Sequence, residues 1–350
     1  MKNKFIRNTI ILSIVAAAAL VIPAILIKLG IINAYTAQII TLSGVNAIMA
    51  LSVNIICGIT GQLSLGQAGF MAIGAYSTIL LSQNLNCPLF VSVIIAGIIT
   101  AIFGFLIGFP TLKLDGDYLA IVTLGFGEII RVVLVNLKGI TGGPNGKSFA
   151  TKLSFDPTLA YLVIIGSLIL IIVLLQNFIR STYGRAILAV REDEIAANSS
   201  GIAVFRYKMI GFVIASFVAG IGGALYVSLI GFVKPEQASF NNSINYLIYV
   251  VLGGMGSTTG SVLAAFVLTY LQEFLRFLKN FRLLIYPCIL IVVMLFRPQG
   301  LLGYKEMSFV KTFDWIKAGG FKKLFTKKAA AETVSTDTVS TETTAQGESK

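Results

Sequence analysis

Long apolar runs alternate with short polar breaks along almost the whole chain. The runs lie at about 9–29, 36–57, 62–82, 89–109, 118–137, 158–178, 208–231, 260–278 and 283–297, with a shorter, glycine-broken run at 244–256. A helix rises only about 1.5 Å per residue, so crossing the hydrocarbon core of a bilayer takes about 20 apolar residues. The pattern therefore predicts an all-α polytopic membrane bundle of about ten crossings, two of them short or broken. Composition agrees: 56% of the 350 residues are apolar and 12% charged, which cannot be wrapped around one water-soluble core.

Charge orients this bundle. The net charge of +12 (27 basic, 15 acidic) gathers beside and between the apolar runs and reads as topology signal, with no nucleic-acid partner implied. Lys2, Lys4 and Arg7 precede the first run, five basic residues lie between Arg180 and Lys208, and lysines follow Arg297. All three segments are expected on the cytoplasmic side, with both termini inside. Ten crossings satisfy this if 244–256 descends and 260–278 returns. Lys138, Lys147 and Lys152, and likewise Arg276, Lys279 and Arg282, then fall outside. Residues 1–304 are expected to form the transmembrane domain. Residues 305–350 are expected to form a cytoplasmic tail, basic and then Ser/Thr-rich, that lacks the apolar content to fold.

The chain holds no histidine, and Cys57, Cys87 and Cys288 stand apart from one another. No metal, cofactor or nucleophile-and-base set can be assembled, so catalysis by this chain alone is not expected.

Within the runs, Gly104 and Gly108, the set Ser64, Ala68 and Ala72, and the set Ala215, Ala219 and Gly223 put small residues at four-residue spacing, which fits tight helix packing. Two richer stretches, Gly58–Gly69 and Gly253–Gly260, mix glycine with Gln62, Ser64, Gln67 and Ser257. Two readings are open for them: ordinary packing, or broken helices lining a path. Their likeness hints at a parallel internal repeat. Glu128 and Arg131, at i and i+3, form a charged pair that either lines the path or its outer gate, or is a structural ion pair at the outer interface. Asp115 and Asp117 are expected to cap the helix that carries them.

One interior segment, Arg180–Arg206, is charge-rich, and Glu192, Asp193 and Glu194 in it open a short helix that Gly201 can end in the left-handed conformation. Its pattern Glu194-x-Ala196-Ala197-x-x-x-Gly201 resembles the EAA loop of ABC importer permeases. With GITGQLSLGQAGFMAIGAY (58–76), GDYLAIVTLGFGEIIRVV (116–133), TGGPNG (141–146), YGRAILAVREDEIAANSSGI (183–202) and MLFRPQGLLG (294–303), the chain up to about Tyr304 is similar to the branched-chain amino acid permeases of the LivM type.

That resemblance implies a pore subunit that pairs with a second, LivH-type permease subunit, two cytoplasmic ATPases and an extracytoplasmic substrate-binding protein. It makes 192–201 the coupling helix, with Arg191, Asp193, Glu194, Ala196, Ala197 and Gly201 at the ATPase contact and Arg191 and Asp193 pairing across it. Gln62, Ser64, Gln67, Glu128, Arg131, Gly254 and Ser257 are the candidates for the translocation path. The substrate it implies is a branched-chain amino acid, with other amino acids, amides or urea as the alternative. No GxxxxGK[ST] phosphate loop occurs, so an ATP-driven transporter must bind its nucleotide on another subunit. An ion-coupled secondary transporter is the competing class; it would need mid-membrane carboxylates, for which only Glu128 offers itself.

Overall fold

The computed structural model describes residues 17–300, except 19, 115, 282–284, 286, 289, 292–293 and 296–299. The first half of run 9–29, most of run 283–297 and the tail lie outside the described residues, as does Asp115. From residue 18 onward the description concerns one unit, Ala18–Glu306.

Residues 20–28 are helical. The α-helices of six residues or more that follow are α1 (Ala34–Val53, continued by a π-helical turn Asn54–Ile59), α2 (Gln67–Asn84), α3 (Leu89–Thr111), α4 (Asp117–Asn136), α5 (Pro157–Arg180), α6 (Thr182–Glu192), α7 (Glu194–Ser199), α8 (Val204–Ile230), α9 (Phe240–Gly253) and α10 (Thr258–Phe274). The strands β1 (Lys147–Ser148) and β2 (Phe232–Val233) pair antiparallel as a two-residue ladder. The chain is thus an all-α polytopic membrane bundle. Among the described residues six helices are long and apolar enough to cross a bilayer: Ala34–Ile59, Leu89–Thr111, Asp117–Asn136, Pro157–Arg180, Val204–Ile230 and Thr258–Leu278.

Contacts at the helix ends sort the bundle into two faces. On one, Gln83 at the end of α2 donates to the Ser148 carbonyl, Thr151 and Ser154 donate to the Ser228 carbonyl near the end of α8, and Tyr35 at the start of α1 meets Glu273 in the last turn of α10 and Arg276 just after it. On the other, the end of α1 meets the turn between α9 and α10 and the end of α6, and Phe109 of α3 meets Phe205 of α8 edge to face. The first is the hairpin face and the second the loop face. From α1 to α5, and again from α8 to α10, successive helices run between the faces in alternate directions, with α6 and α7 inserted at the loop face.

α8 is the axis of the bundle, packed by α3, α2 and α1. Its small residues explain that. An added Cβ at Gly223 would lie 1.9 Å from the Met71 carbonyl oxygen of α2, so the two backbones touch there. Close approach of this kind replaces the hydrophobic drive that helices lack in lipid. Ala215, Ala219 and Gly223 all face this buried seam, as read from their spacing. Gly104 and Gly108 likewise meet Ser216 and Phe212 of α8, which makes them packing residues.

Two expectations are corrected. Run 62–82 is not one helix from its start: residues 60–66 are non-helical, with Gly61 at φ 71°, and α2 begins only at Gln67. Ser64 therefore lies on the break and not on a helical stripe with Ala68 and Ala72. Nor does Asp117 cap α4; the cap position is Gly116, at φ 58°, with no side-chain cap bond, and Asp117 sits in the first turn, where its charge still favours the helix dipole.

The packing makes a contrast testable. Gly223→Val should lower stability in detergent by about 3 kcal/mol or more, since backbone cannot yield as a side chain can. Gly125→Ala, with nothing within 4 Å of its added Cβ, should be neutral or stabilising by up to about 1 kcal/mol. Thermal unfolding of the two purified variants measures both.

Candidate functional site

The two glycine-rich stretches meet. α1 ends in a π-helical turn, a form that concentrates where a helix must yield to a functional break. From that turn Asn54 Oδ1 accepts a hydrogen bond of 2.8 Å from the backbone N–H of Gly256, in the turn between α9 and α10. Gly58 completes the contact: an added Cβ there would lie 2.3 Å from the Gly256 nitrogen, so only glycine lets the segments close. In an apolar medium each exposed backbone group of a broken helix costs free energy unless it is paired, and here each break helps to pair the other.

Around this junction polar side chains are buried in number. Asn54, Gln62, Ser64 and Gln67 are each at least nine-tenths buried, and each leaves one polar atom without a hydrogen-bond partner. The unpartnered atoms are the amide nitrogens of Asn54, Gln62 and Gln67 and the Ser64 hydroxyl, and the Gln62 and Gln67 oxygens sit beside hydroxyls whose single proton has a second acceptor in reach. Ser52 Oγ lies 2.8 Å from both the Ala215 carbonyl oxygen and the Gln67 amide, yet has one proton to give. Thr60 gives its single proton to the Ile56 carbonyl at 2.6 Å and can offer the Gln62 amide only an acceptor. One end of each amide is left over. Four such buried, unpartnered atoms fall within 14 residues, and each left dry would cost about 1–3 kcal/mol.

Not every path candidate belongs to this cluster. Ser257 is fully buried and caps α10, accepting from Gly260 N–H at 3.1 Å, while buried Gly254 closes the end of α9 at φ 107°. Both shape the junction. Glu128 and Arg131 stand apart, nearer the hairpin face. They form an ion pair of 2.6 Å, and Glu128 also accepts from the Phe240 N–H at the start of α9, a helix whose Ser239 cap makes no side-chain bond. An acidic group at that end suits the helix dipole. Glu128 thus holds two helices together.

The Arg180–Arg206 segment holds the expected short helix, with its bounds corrected: Glu192 ends α6, and only Glu194–Ser199 is helical in the stretch 193–201. Asp193 caps α7, accepting from the N–H groups of Ile195 and Ala196 at 2.9 Å each. Gly201, at φ 82°, ends it in a Schellman arrangement, with Ile202 N–H bonded to the Ala197 carbonyl and Gly201 N–H to that of Asn198. Glu194 pairs at 2.6 Å with Lys208, whose side chain is 8% exposed, on the second turn of α8. Ala197 is buried within the chain, so of the two alanines only Ala196 faces out, beside Ile195 at 81% exposed. Arg191 and Asp193 find partners within the chain: Arg191 Nη1 donates to the Gly58 carbonyl at 2.6 Å, and Nη2 lies 3.5 Å from Glu192.

Asn54, Lys208 and Ile195 are the residues that sequence reasoning missed. Asn54 was a lone amide in an apolar run, and Lys208 was counted with the basic residues of its loop as a topology signal. Ile195 carried a signal, a large apolar residue among acids on a short helix.

A bundle of membrane-crossing helices with a polar, glycine-broken junction and an ordered charged helix at one face fits a membrane transport subunit. Residues 35–296 match the family described as the branched-chain amino acid transport system / permease component, and the chain belongs to that family. It is 40% identical over 296 residues, covering 76% of this chain and 70% of the relative, to the high-affinity branched-chain amino acid transport system permease protein LivM of Escherichia coli K12. The protein of the same name from Salmonella typhimurium LT2 is 38% identical over 294 residues, 76% of this chain and 69% of that one. The autoinducer 2 import system permease protein LsrC of Photorhabdus laumondii is 25% identical over 222 residues, 59% of this chain and 65% of that relative. No solved structure matches the chain.

Two substitutions test the site's bonds. Asn54→Ala should destabilise the chain by about 1–3 kcal/mol in thermal unfolding, because it strips the Gly256 N–H of its acceptor. Glu194→Ala should cost about 1–2 kcal/mol, and adding Lys208→Met should recover most of it, a coupling that a double-mutant cycle reads directly.

Proposed function

We propose that this chain is one of two pore subunits of an ATP-driven importer for branched-chain amino acids, with the short helix α7 as its contact to a cytoplasmic ATPase. The observation that carries the reading is the build of that helix. It is capped at both ends within the chain, braced by the Glu194–Lys208 pair, and yet presents Ile195 at 81% exposed to the outside. An isolated large apolar side chain on a six-residue helix fits a socket on a partner. Asp193, Glu194, Ala197 and Gly201 then support the contact from behind, while Ile195 and Ala196 make it.

On this reading the loop face is cytoplasmic, as its basic residues favour, and the hairpin face receives substrate from an extracytoplasmic binding protein. The alternating helix directions fit about ten crossings, with the runs 9–29 and 283–297 added to the eight helices α1–α5 and α8–α10, and with both termini inside. Of those eight, α9, with 14 residues, is the short one. Asn54, Gln62, Ser64 and Gln67 line the path, and their mixed donors and acceptors suit a zwitterion or the water that travels with it. A second, LivH-type permease supplies the other half of the pore. Closure of the ATPase dimer favours one access state over the other by moving the docked helices. The relatives named for branched-chain amino acids support the substrate.

The test is co-purification together with uptake. The tagged chain should bring down an ATPase, and Ile195→Arg or Gly201→Asp should abolish both that association and the uptake of labelled leucine. A chain that purifies without an ATPase, with uptake that survives ATP depletion while an ion gradient is maintained, refutes the reading.

A further inference from the structure

Between α7 and the membrane interior stands one side chain. Arg191, in the last turn of α6, reaches 133 residues back along the chain to the Gly58 carbonyl at 2.6 Å. That carbonyl belongs to the end of the π-helical turn, where the helix has broken and backbone acceptors lack their usual partners. A charged donor on such an acceptor, in a partly buried setting, makes a strong and directional bond.

The same guanidinium touches both breaks. An added Cβ at Gly256 would lie 3.2 Å from Arg191 Nη1, and one at Gly61 would lie 2.8 Å from Arg191 Cγ. Gly58 and Gly256 in turn are held together by Asn54. Arg191 therefore sits against three glycines from two stretches that the sequence separates by nearly 200 positions, and it is two residues from the Asp193 that caps α7. The rest of its segment is anchored elsewhere, through Glu194 to Lys208 of α8.

We infer that Arg191 is a positioning residue that pins the α6–α7 segment to the paired glycine breaks, so that segment and junction move as one body during transport. The inference rests on the importer reading above, since it takes motion at α7 as the input. Glu194–Lys208 ties α7 to the central helix, and Arg191 carries the displacement to the junction where the buried amides lie. The bond is not an interface contact with the ATPase: its acceptor is this chain's own backbone. Its loss should leave ATPase docking intact and break the link between hydrolysis and passage.

The experiment uses the full-length chain in the ATPase-containing complex it purifies with, reconstituted in liposomes, and reads leucine transported per ATP hydrolysed. Arg191→Ala and Arg191→Gln should keep the complex assembled and its ATPase rate within about twofold, while uptake per ATP falls at least about tenfold. Arg191→Lys, which can still donate to the Gly58 carbonyl, should retain at least about a third. A covalent substitute sharpens this. An added Cβ at Gly61 lies 3.5 Å from that of Arg191, within the roughly 3.5–4.5 Å that a disulfide spans. In a background with Cys57, Cys87 and Cys288 replaced, the double variant Gly61→Cys, Arg191→Cys should be uncoupled when reduced and regain at least about a third of wild-type uptake per ATP when oxidised. Unchanged coupling in Arg191→Ala overturns the inference. So does a disulfide that forms but leaves uptake lost with ATPase intact, or a failure of the folded pair to cross-link. The single variants carry the test if the double variant does not fold. A wild-type chain that brings down no ATPase overturns the importer reading itself, an outcome seen before any variant is made.

Discussion

Everything in this bundle turns on how a helix can be broken inside a membrane. The hydrocarbon interior offers no water to the N–H and C=O groups that a break releases, so the protein must supply partners from its own chain. Here the solution is reciprocal. The break after α1 and the break between α9 and α10 are pressed together, with Asn54 accepting from Gly256 and Arg191 donating to Gly58. Glycine at position 58 is what permits the approach, because a methyl group there would lie 2.3 Å from the Gly256 nitrogen, and glycine at 256 supplies the φ of 88° that the turn requires. The rest of the fold is arranged to hold these two segments in place: α8 packs against α1 and α2 along its small residues, and Glu128 secures the start of α9.

The same constraint connects structure to transport. A pathway for a polar solute needs polar side chains at membrane depth, and those are tolerable only where unpaired atoms can be hydrated. Gln62, Ser64 and Gln67 occupy the break because the broken backbone already makes that region polar. The external helix α7 is joined to it by short, charged connections, Glu194 to Lys208 and Arg191 to Gly58, and not by a long loop that would absorb displacement. Stiffness at the contact and yielding glycine at the junction are complementary properties. In the proposed importer, they are the properties by which a push at one face becomes an opening in the interior.

Much of this was legible from residue pattern alone. The long spans followed from runs of apolar residues, as with 36–57 for Ala34–Ile59 and 208–231 for Val204–Ile230. α7 was legible because its caps are local: Asp193 and Gly201 act on backbone within a few residues. What failed was non-local or depended on which residue takes the cap. Hydropathy carried run 62–82 straight through a break, since Leu63, Leu65 and the small residues beside them keep the average apolar. Asp117 was read as a cap, but glycine at 116 adopts the φ that begins the helix. For Arg191, expected at the ATPase contact, nothing in the sequence reveals that it reaches the Gly58 carbonyl. Ala197, small enough for a partner to approach, is small because α7 itself packs there.

The central claim is that the α6–α7 segment and the glycine junction form one moving body. Spin labels at Ser199, on α7, and Met255, in the α9–α10 turn, both exposed positions, measure it most directly by pulsed dipolar spectroscopy in the assembled complex. The account predicts that the Ser199–Met255 distance distribution stays the same with and without trapped ATP, while the distribution from Ser199 to Gln83 at the hairpin face shifts. A Ser199–Met255 distance that changes between nucleotide states would contradict it.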